Sequence, residues 1–247
     1  MRADPFAQLK LLDVQDLDSR LDALRHQAAN LPETAELRRL SAEMGELRAS
    51  EGALRTEVDD LTREQRRADA DVEQVKARRV RDQQRLDTGV VSNPKDLERL
   101  QHELVSLDRR VSELEDAELE VMERLETAQA ALTDVRSRMQ EVGAAGRELT
   151  GVRDRRIAAL QAEAEKLTRE RADAVEGMPA ELLGLYERLR TDRDGVGAAH
   201  LRARRCEGCS LELDSAVLAS IAGLGSDQVV RCEECGRILV RTGDSGL

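Results

Sequence analysis

Aromatic residues are almost absent from this 247-residue chain, which has one Phe, one Tyr and no Trp. A globular domain of that length normally buries many aromatic side chains, so the composition argues against one large core. Charged residues make up 36% of the chain. Its apolar residues nevertheless recur at a regular period, which a disordered chain has no reason to show. The composition therefore favours long helices that each bury a narrow apolar stripe.

Long apolar runs are also lacking. No stretch of 18 apolar residues occurs, and residues 1–30 contain no run of signal-peptide length. We therefore expect a cytoplasmic protein with no membrane partner. The net charge of −11 argues against a protein that coats nucleic acid or anionic membrane by bulk charge.

Two segments carry an apolar repeat in alternating steps of three and four residues, the signal of a coiled coil. The first comprises Leu37, Leu40, Met44, Leu47, Leu54, Val58, Leu61, Ala68, Val72, Val75 and Leu86, with Glu51, Gln65, Arg79 and Asp82 at polar positions in the same register. The second comprises Leu97, Leu100, Leu104, Leu107, Val111, Leu114, Val121, Leu125, Ala128, Leu132, Val135, Met139 and Val142. The second register slips at a glycine-rich stretch, residues 143–151.

Residues 87–96 separate the two segments and carry helix stop and start signals. Gly89 can end the first helix, Asn93 can cap the second, and Pro94 suits its first position. One continuous helix that dimerises in parallel would place Gly89 and Pro94 inside the coil at a cost of several kcal/mol. The sequence therefore predicts an antiparallel hairpin over residues 1–177, with its tip at about 87–96.

The chain has only four cysteines, and they form two C-x2-C pairs separated by 22 residues. Two such pairs can place four thiolates at the corners of a tetrahedron, as Zn²⁺ requires in a structural site. A reducing compartment favours metal over disulfide bonds. We therefore expect Cys206, Cys209, Cys232 and Cys235 to bind structural Zn²⁺. Iron in a rubredoxin-like site is the alternative, because four thiolates suit it too.

Signs of catalysis are missing. Four thiolates leave no coordination position for water, and none of His26, His102 and His200 lies within a C-x2-C unit. No nucleophile–base pair or phosphate-binding glycine loop can be found. The sequence therefore predicts a protein that is not an enzyme and has no small-molecule substrate.

The remaining segments are short. Residues 180–190 read as an amphipathic helix with Leu182, Leu185, Tyr186 and Leu189 on one side, within a connecting segment, residues 178–195. For Tyr186, ligand contact is one interpretation and packing is the other. Residues 196–247 show short strand-like runs around the cysteine pairs, which predicts a small zinc-ribbon domain. About 50 residues bury little apolar surface, so the metal must supply much of their stability.

The hairpin and the four-cysteine segment together resemble a bacterial family of C4-type zinc-ribbon proteins with an N-terminal coiled-coil hairpin. The resemblance is carried by Val91–Leu97, Gln101–Leu104, Leu185–Arg188, Cys206-x-x-Cys209 and Cys232–Leu239. It implies a non-enzymatic cytoplasmic protein whose four cysteines bind zinc. Characterised members resemble adaptors: some bind an alternative sigma factor or components of flagellar and type III secretion systems, and one is linked to messenger-RNA binding.

Two classes of function remain open. The first is an adaptor or scaffold, a monomer or weak dimer, that contacts protein partners through the coiled coil and the ribbon. The second is a nucleic-acid-binding ribbon, for which the candidate contacts are Arg202, Arg204, Arg205, Arg231 and Arg237. Residues 198–247 hold six Arg against seven Asp and Glu and contain no aromatic side chain for base stacking. Pairing of these arginines with nearby glutamates is the alternative interpretation.

The hairpin tip is a further candidate for partner contact. Val91, Asn93, Pro94 and Lys95 lie in a loop that we expect to be exposed, and loops often carry function. Helix reversal alone also accounts for Asn93 and Pro94.

Overall fold

A computed structural model describes all 247 residues and divides the chain into two compact units. One unit, which we call the hairpin unit, is Ala35–Thr150. The other, the ribbon unit, combines Met1–Thr34 with Gly151–Leu247. No helix is both long enough and apolar enough to cross a membrane.

The hairpin unit is built from two long helices, α2 (Pro32–Asp87) and α3 (Pro94–Val175). The predicted antiparallel hairpin is therefore confirmed. The buried apolar residues of this unit all belong to the predicted stripes: Leu40, Leu61, Val72, Leu100, Leu104, Leu107, Val121, Leu125, Ala128, Leu132 and Val142. Glycines 143 and 146 lie within α3, which continues through them without a break.

Ion pairs flank this apolar seam on the exposed faces of both helices. Arg138 reaches Glu43 at 2.7 Å and Lys76 reaches Glu115 at 2.7 Å, each across the two arms. Exposed pairs of this kind stabilise a protein by at most about 1 kcal/mol each. Their contribution is to favour one pairing of the arms over its alternatives.

The reversal at the tip follows the predicted signals. Gly89 has φ of +67°, a conformation that favours glycine. The side-chain oxygen of Asn93 accepts a hydrogen bond from the Lys95 N–H at 3.1 Å, and α3 begins at Pro94. Asn93 is therefore the N-cap of α3.

The ribbon unit contains a four-stranded sheet. Its strands are β1 (Ala198–Arg202), β2 (Arg205–Cys206), β3 (Val230–Arg231) and β4 (Ile238–Arg241). The order is β2-β1-β4-β3; β1 and β4 are parallel and the other pairs are antiparallel. The unit also contains helices α1 (Pro5–Ala29), α4 (Ala180–Asp192) and α5 (Ser215–Ala222).

Each face of this sheet packs on a different layer, because side chains alternate along a strand. Ala198, Ile238 and Val240 join α1 and α4 in one apolar cluster. The opposite cluster contains α5 and two of the cysteines; its sheet residues are Ala199, Leu201, Val230 and Leu239. The ribbon therefore does not rely on its own 50 residues for a core.

Helix α1 was the main element that the sequence-based division at residue 177 did not anticipate. Leu11 and Val14 are fully buried against α4 and the sheet. Gln15 accepts the Gly197 N–H at 2.7 Å and donates to the Gly195 carbonyl at 2.9 Å. The Ala3 N–H donates to the Asp227 carbonyl at 2.8 Å, so the first residues extend along the ribbon.

Tyr186 packs inside this unit, which confirms the packing interpretation. Its ring is fully buried and its hydroxyl donates to Asp18 Oδ2 at 2.7 Å. Asp18 is 1% exposed and also accepts from Arg171 Nε at 2.6 Å. Burial and the bond to Asp18 both raise the pKa of the Tyr186 hydroxyl. We call Asp18, Arg171 and Tyr186 the buried polar triad, since it joins α1, α3 and α4.

Candidate metal centre

The four cysteine sulfur atoms lie within 4.8 Å of one another. The Sγ atoms of Cys206 and Cys235 are 3.8 Å apart, and those of Cys209 and Cys232 are 3.9 Å apart. A tetrahedral ion with Zn–S bonds of about 2.3 Å requires S···S edges of about 3.8 Å. All four cysteines are free rather than disulfide-bonded. The donor set therefore fits Zn²⁺.

The two C-x2-C pairs adopt matching turns. In the first, the Ser210 N–H donates to the Cys206 carbonyl at 2.7 Å; in the second, the Gly236 N–H donates to the Cys232 carbonyl at 2.8 Å. Ser210 has φ of +61° and Gly236 has φ of +73°. A glycine at position 236 indicates this backbone conformation in the sequence. Ser210 gives no such indication, because non-glycine residues rarely adopt a positive φ.

Strands place the first cysteine of each pair. Cys206 ends β2 and Cys232 follows β3 directly, and both are buried, at 0% and 2% exposure. Burial raises the pKa of both thiols, although backbone N–H groups within each turn oppose that rise. A bound dication stabilises the thiolate form and so compensates for burial.

Cys235 differs from its partners. Burial raises the pKa of its thiol, but hydrogen bonds from the Arg237 backbone N–H and side chain and from the Cys232 and Cys209 thiols together outweigh that effect and lower the pKa to about 7. Donors that point at a ligating sulfur hold its orientation and its charge. With four sulfur ligands the coordination sphere is closed, so the centre is structural.

Arg237, one of the candidate nucleic-acid contacts, uses its side chain for hydrogen bonds within the protein. Its guanidinium donates to the carbonyls of Val196, Gly208 and Arg193, at 3.0, 3.1 and 2.9 Å. It therefore ties both C-x2-C turns to the segment after α4. Sequence reasoning missed this role, because a bond to a carbonyl leaves no signature in residue type.

The other candidate arginines have exposed side chains. Arg202 pairs with Glu207 at 3.2 Å, and Arg205 donates to the Ser210 carbonyl at 3.1 Å. Arg231 donates through Nε to the Gly236 carbonyl at 2.8 Å. Arg204 is exposed and has φ of +68°.

Arg241 is a structural residue that sequence reasoning also missed. It donates to five backbone carbonyls, one in the last turn of α5 and four between α5 and β3: Ile221, Leu224, Gly225, Ser226 and Gln228. These bonds hold the loop that leads into the second cysteine pair.

At the tip, the structure assigns backbone roles to two of the four candidate contacts. Asn93 caps α3 and Pro94 begins it. Val91 is half-buried and Lys95 is exposed. The neighbouring Val90 is 77% exposed, the largest exposure among the large apolar residues of the chain.

Comparisons with known proteins agree with this architecture. Residues 14–194 match the family described as CT398-like coiled coil hairpin domain, and residues 205–239 match the C4-type zinc ribbon domain. The chain is 36% identical to an uncharacterised protein of Mycobacterium tuberculosis, over 98% of each chain. An uncharacterised protein of Mycobacterium leprae is 28% identical, over 90% of this chain and 95% of that protein.

Solved structures show the same fold. A structure from Mycobacterium smegmatis is similar with a TM-score of 0.82 and 33% identity, over 98% of this chain and 100% of that one. The structure of CT398 from Chlamydia trachomatis gives a TM-score of 0.69 at 18% identity, over 96% and 98%. The matched hairpin spans most of the sequence and the zinc ribbon coincides with the four clustered sulfurs. The chain therefore belongs to the CT398-like coiled-coil hairpin family and carries a C4-type zinc ribbon that binds structural zinc.

Proposed function

We propose that this protein is a non-enzymatic adaptor that binds protein partners, with the tip of its hairpin as one contact surface. The observation that carries the proposal is the exposed apolar tip. Val90 is 77% exposed beside Val91, at a turn whose other residues, Gly89 and Asn93, are used to reverse the chain. Apolar side chains that helix reversal does not require are available to a partner.

The ribbon's arginines also favour this function over nucleic-acid binding. The Arg237 guanidinium donates its hydrogen bonds to backbone carbonyls, and Arg202 forms an ion pair with Glu207. Residues 198–247 contain no aromatic side chain on which a base could stack, and their acidic residues outnumber their arginines. Nucleic-acid binding through the exposed Arg204 and Arg205 is the second candidate.

The test for the adaptor is a photo-crosslinking amino acid at position 90, incorporated in the native host. We expect a discrete crosslinked protein, because this side chain would lie in the interface. The matched control is the same amino acid at Arg48, an exposed position elsewhere in the hairpin unit. Equal crosslinking from both positions would contradict contact at the tip.

Nucleic acid is tested separately by the anisotropy of labelled RNA and DNA oligonucleotides with the purified, zinc-loaded protein. Phosphate contacts make affinity fall steeply with salt. Salt-sensitive binding that disappears in the Arg202/Arg204/Arg205→Ala variant would favour the second candidate over the adaptor.

A further inference from the structure

The apolar seam of the hairpin unit lacks a side chain at one position, Gly146. Steps of three and four residues lead along α3 from Met139 through Val142 to position 146, which continues the register of the seam. A Cβ at this position would meet no heavy atom within 4 Å. The seam therefore contains a hole where the regular repeat would place an apolar side chain against α2.

An apolar groove of about 390 Å³, open to solvent, lies at this hole, and we call it the seam groove. Its walls are apolar side chains from both helices: Leu37, Leu40, Met44 and Val142. A side chain at Gly143 would narrow it, since its Cβ would already lie 3.7 Å from Met44 Cε. Leu40 and Val142 are buried, but Leu37 and Met44 are only half-buried. The groove thus leaves two large apolar side chains partly exposed beside an empty seam position.

One charged side chain, that of Arg147, lines the seam groove, and it forms no ion pair. The guanidinium lies back over the glycines, with Nη1 3.5 Å from a Cβ at Gly143. Glu36 and Glu43, the acidic residues of α2 that flank the groove, already pair with arginines of the hairpin unit. Glu148 follows Arg147 directly, and adjacent residues of a helix do not face each other. The groove therefore combines an apolar hole with one exposed, unpaired guanidinium.

We propose that the seam groove binds a helix of a protein partner, which places one large apolar side chain in the hole at Gly146 and one carboxylate on Arg147. Helices recognise such grooves by inserting a few apolar side chains, and a guanidinium fork matches a carboxylate. Residues 143–146 read Gly-Ala-Ala-Gly, so no long side chain keeps a third helix away from α3 at this point. This inference rests on the proposed adaptor function and adds a second contact surface to it.

Charge favours a partner over a second copy of this chain. Residues 35–48 hold three Arg and three Glu, and residues 138–150 hold two of each, so the negative net charge of the chain does not extend to the groove. An acidic partner is therefore not repelled there. Two copies joined symmetrically at the groove would instead bring their Arg147 side chains together, because a two-fold contact uses the same patch twice.

The experiment places a photo-crosslinking amino acid at Ser41, an exposed residue that lines the seam groove, in the full chain in its native host. We expect a discrete product whose crosslinked peptide, identified by mass spectrometry, is a helical segment with a large apolar residue within one turn of Asp or Glu. Gly146→Leu fills the hole and should lower the yield about tenfold, as expected for loss of a central anchor pocket. Arg147→Gln should lower it severalfold, whereas Arg66→Gln, at an exposed arginine outside the groove, should not.

Gly52→Leu is the matched control for Gly146→Leu. Gly52 is exposed in the interior of α2, and a Cβ there would also meet nothing within 4 Å, so both variants gain the same helix propensity. Gly146→Leu alone should pack a new side chain on the seam, so its unfolding midpoint in urea should exceed that of Gly52→Leu. An equal or lower midpoint would show that position 146 is not an open seam position and would overturn the proposal.

Four crosslinking results would also overturn it: no product from position 41, a yield that Gly146→Leu leaves unchanged, an equal loss in Gly52→Leu, or a crosslinked peptide that belongs to a second copy or has no acidic residue within one turn. Position 90 is tested in parallel. Its control here is Arg66, because Arg48 lies one turn from Met44 and would face a helix in the groove. A product from position 90 with none from position 41 would overturn the seam groove and leave the adaptor function in place. The absence of a product from both would be a failure of the adaptor proposal itself.

Discussion

At the scale of single residues, the buried polar triad shows how one tyrosine can be held in a nearly aromatic-free protein. Tyr186 donates to Asp18, and the Asp18 charge is balanced by Arg171 and, at 3.6 Å, by Arg190. Removing one member of a buried charged pair leaves the other uncompensated, which typically costs about 3–5 kcal/mol. The triad thus makes α1, α3 and α4 mutually dependent through three side chains.

The raised pKa of Tyr186 predicts the alkaline stability of the ribbon unit. The unfolded tyrosine ionises near pH 10, whereas the folded one keeps its proton, so the unfolded state binds fewer protons above that pH. The free energy of unfolding should therefore fall as pH rises above about 10. Because the chain has one Tyr and no Trp, tyrosinate absorbance reports this residue alone. We expect that absorbance to appear only with unfolding.

Tyr186→Phe is the control for this titration. It should remove the Tyr-dependent part of the alkaline slope and, at neutral pH, lower stability by about 1.5–3 kcal/mol through the lost bond to a charged acceptor. A tyrosinate signal near pH 10 in a chain that remains folded would contradict the prediction.

At the scale of elements, the arms of the hairpin could be predicted from sequence with little loss. The apolar stripe from Leu40 to Val142 and the helix cap at Asn93 depend on residues that are close in the sequence. Such patterns can be recognised without knowledge of tertiary contacts. Helix α1 was not assigned to the ribbon, because its buried face includes Gln8, Gln15 and Asp18. Polar residues on a buried face hide the apolar period, and their partners lie far along the chain.

Asp82 is the buried one among the polar residues of the hairpin seam. It is 7% exposed, and both of its ion pairs are with arginines of its own helix, Arg78 at 3.8 Å and Arg85 at 3.3 Å. Replacing buried charges with apolar residues of similar volume often stabilises a protein by about 1–4 kcal/mol. Asp82→Leu should therefore raise the unfolding midpoint of the hairpin in urea, measured by helical ellipticity.

The control is Asp59→Leu, an exposed aspartate on the same helix, which should leave the midpoint nearly unchanged. Light scattering should accompany both variants, since a polar seam residue can also specify register and oligomeric state. A lower midpoint for Asp82→Leu at an unchanged oligomeric state would show that the aspartate stabilises the seam.

At the scale of the whole molecule, metal removal should destabilise the zinc ribbon and leave the stability of the hairpin unit unchanged. The metal holds the cysteine side of the sheet, while the opposite side packs on α1 and α4. Structural zinc contributes an apparent ~10–16 kcal/mol in small zinc domains. After chelation we expect faster hydrogen exchange in residues 198–241 and unchanged exchange in Ala35–Thr150. Helical ellipticity should fall little, because α5 is short.

Zinc readdition should restore the original exchange pattern, and a Cys232→Ser variant should reproduce the chelated one. Exchange in the ribbon that stays unchanged after complete metal loss would mean that the layer of α1 and α4 stabilises the sheet alone. The four cysteines could be predicted as ligands from spacing. The second packing layer could not, because it comes from a segment at the other end of the sequence.

The pairing of the first helix with the last strands sets an order for folding during synthesis. Gln15 finds its partner Gly197 only 182 residues later, and Gln8 reaches the Ser226 carbonyl across 218. The hairpin can form while the ribosome is still translating. Leu11 and Val14, however, remain exposed to water until the ribbon strands that they pack against have been synthesised. The apolar residues of α1 therefore stay exposed to water for most of the time that the chain spends on the ribosome.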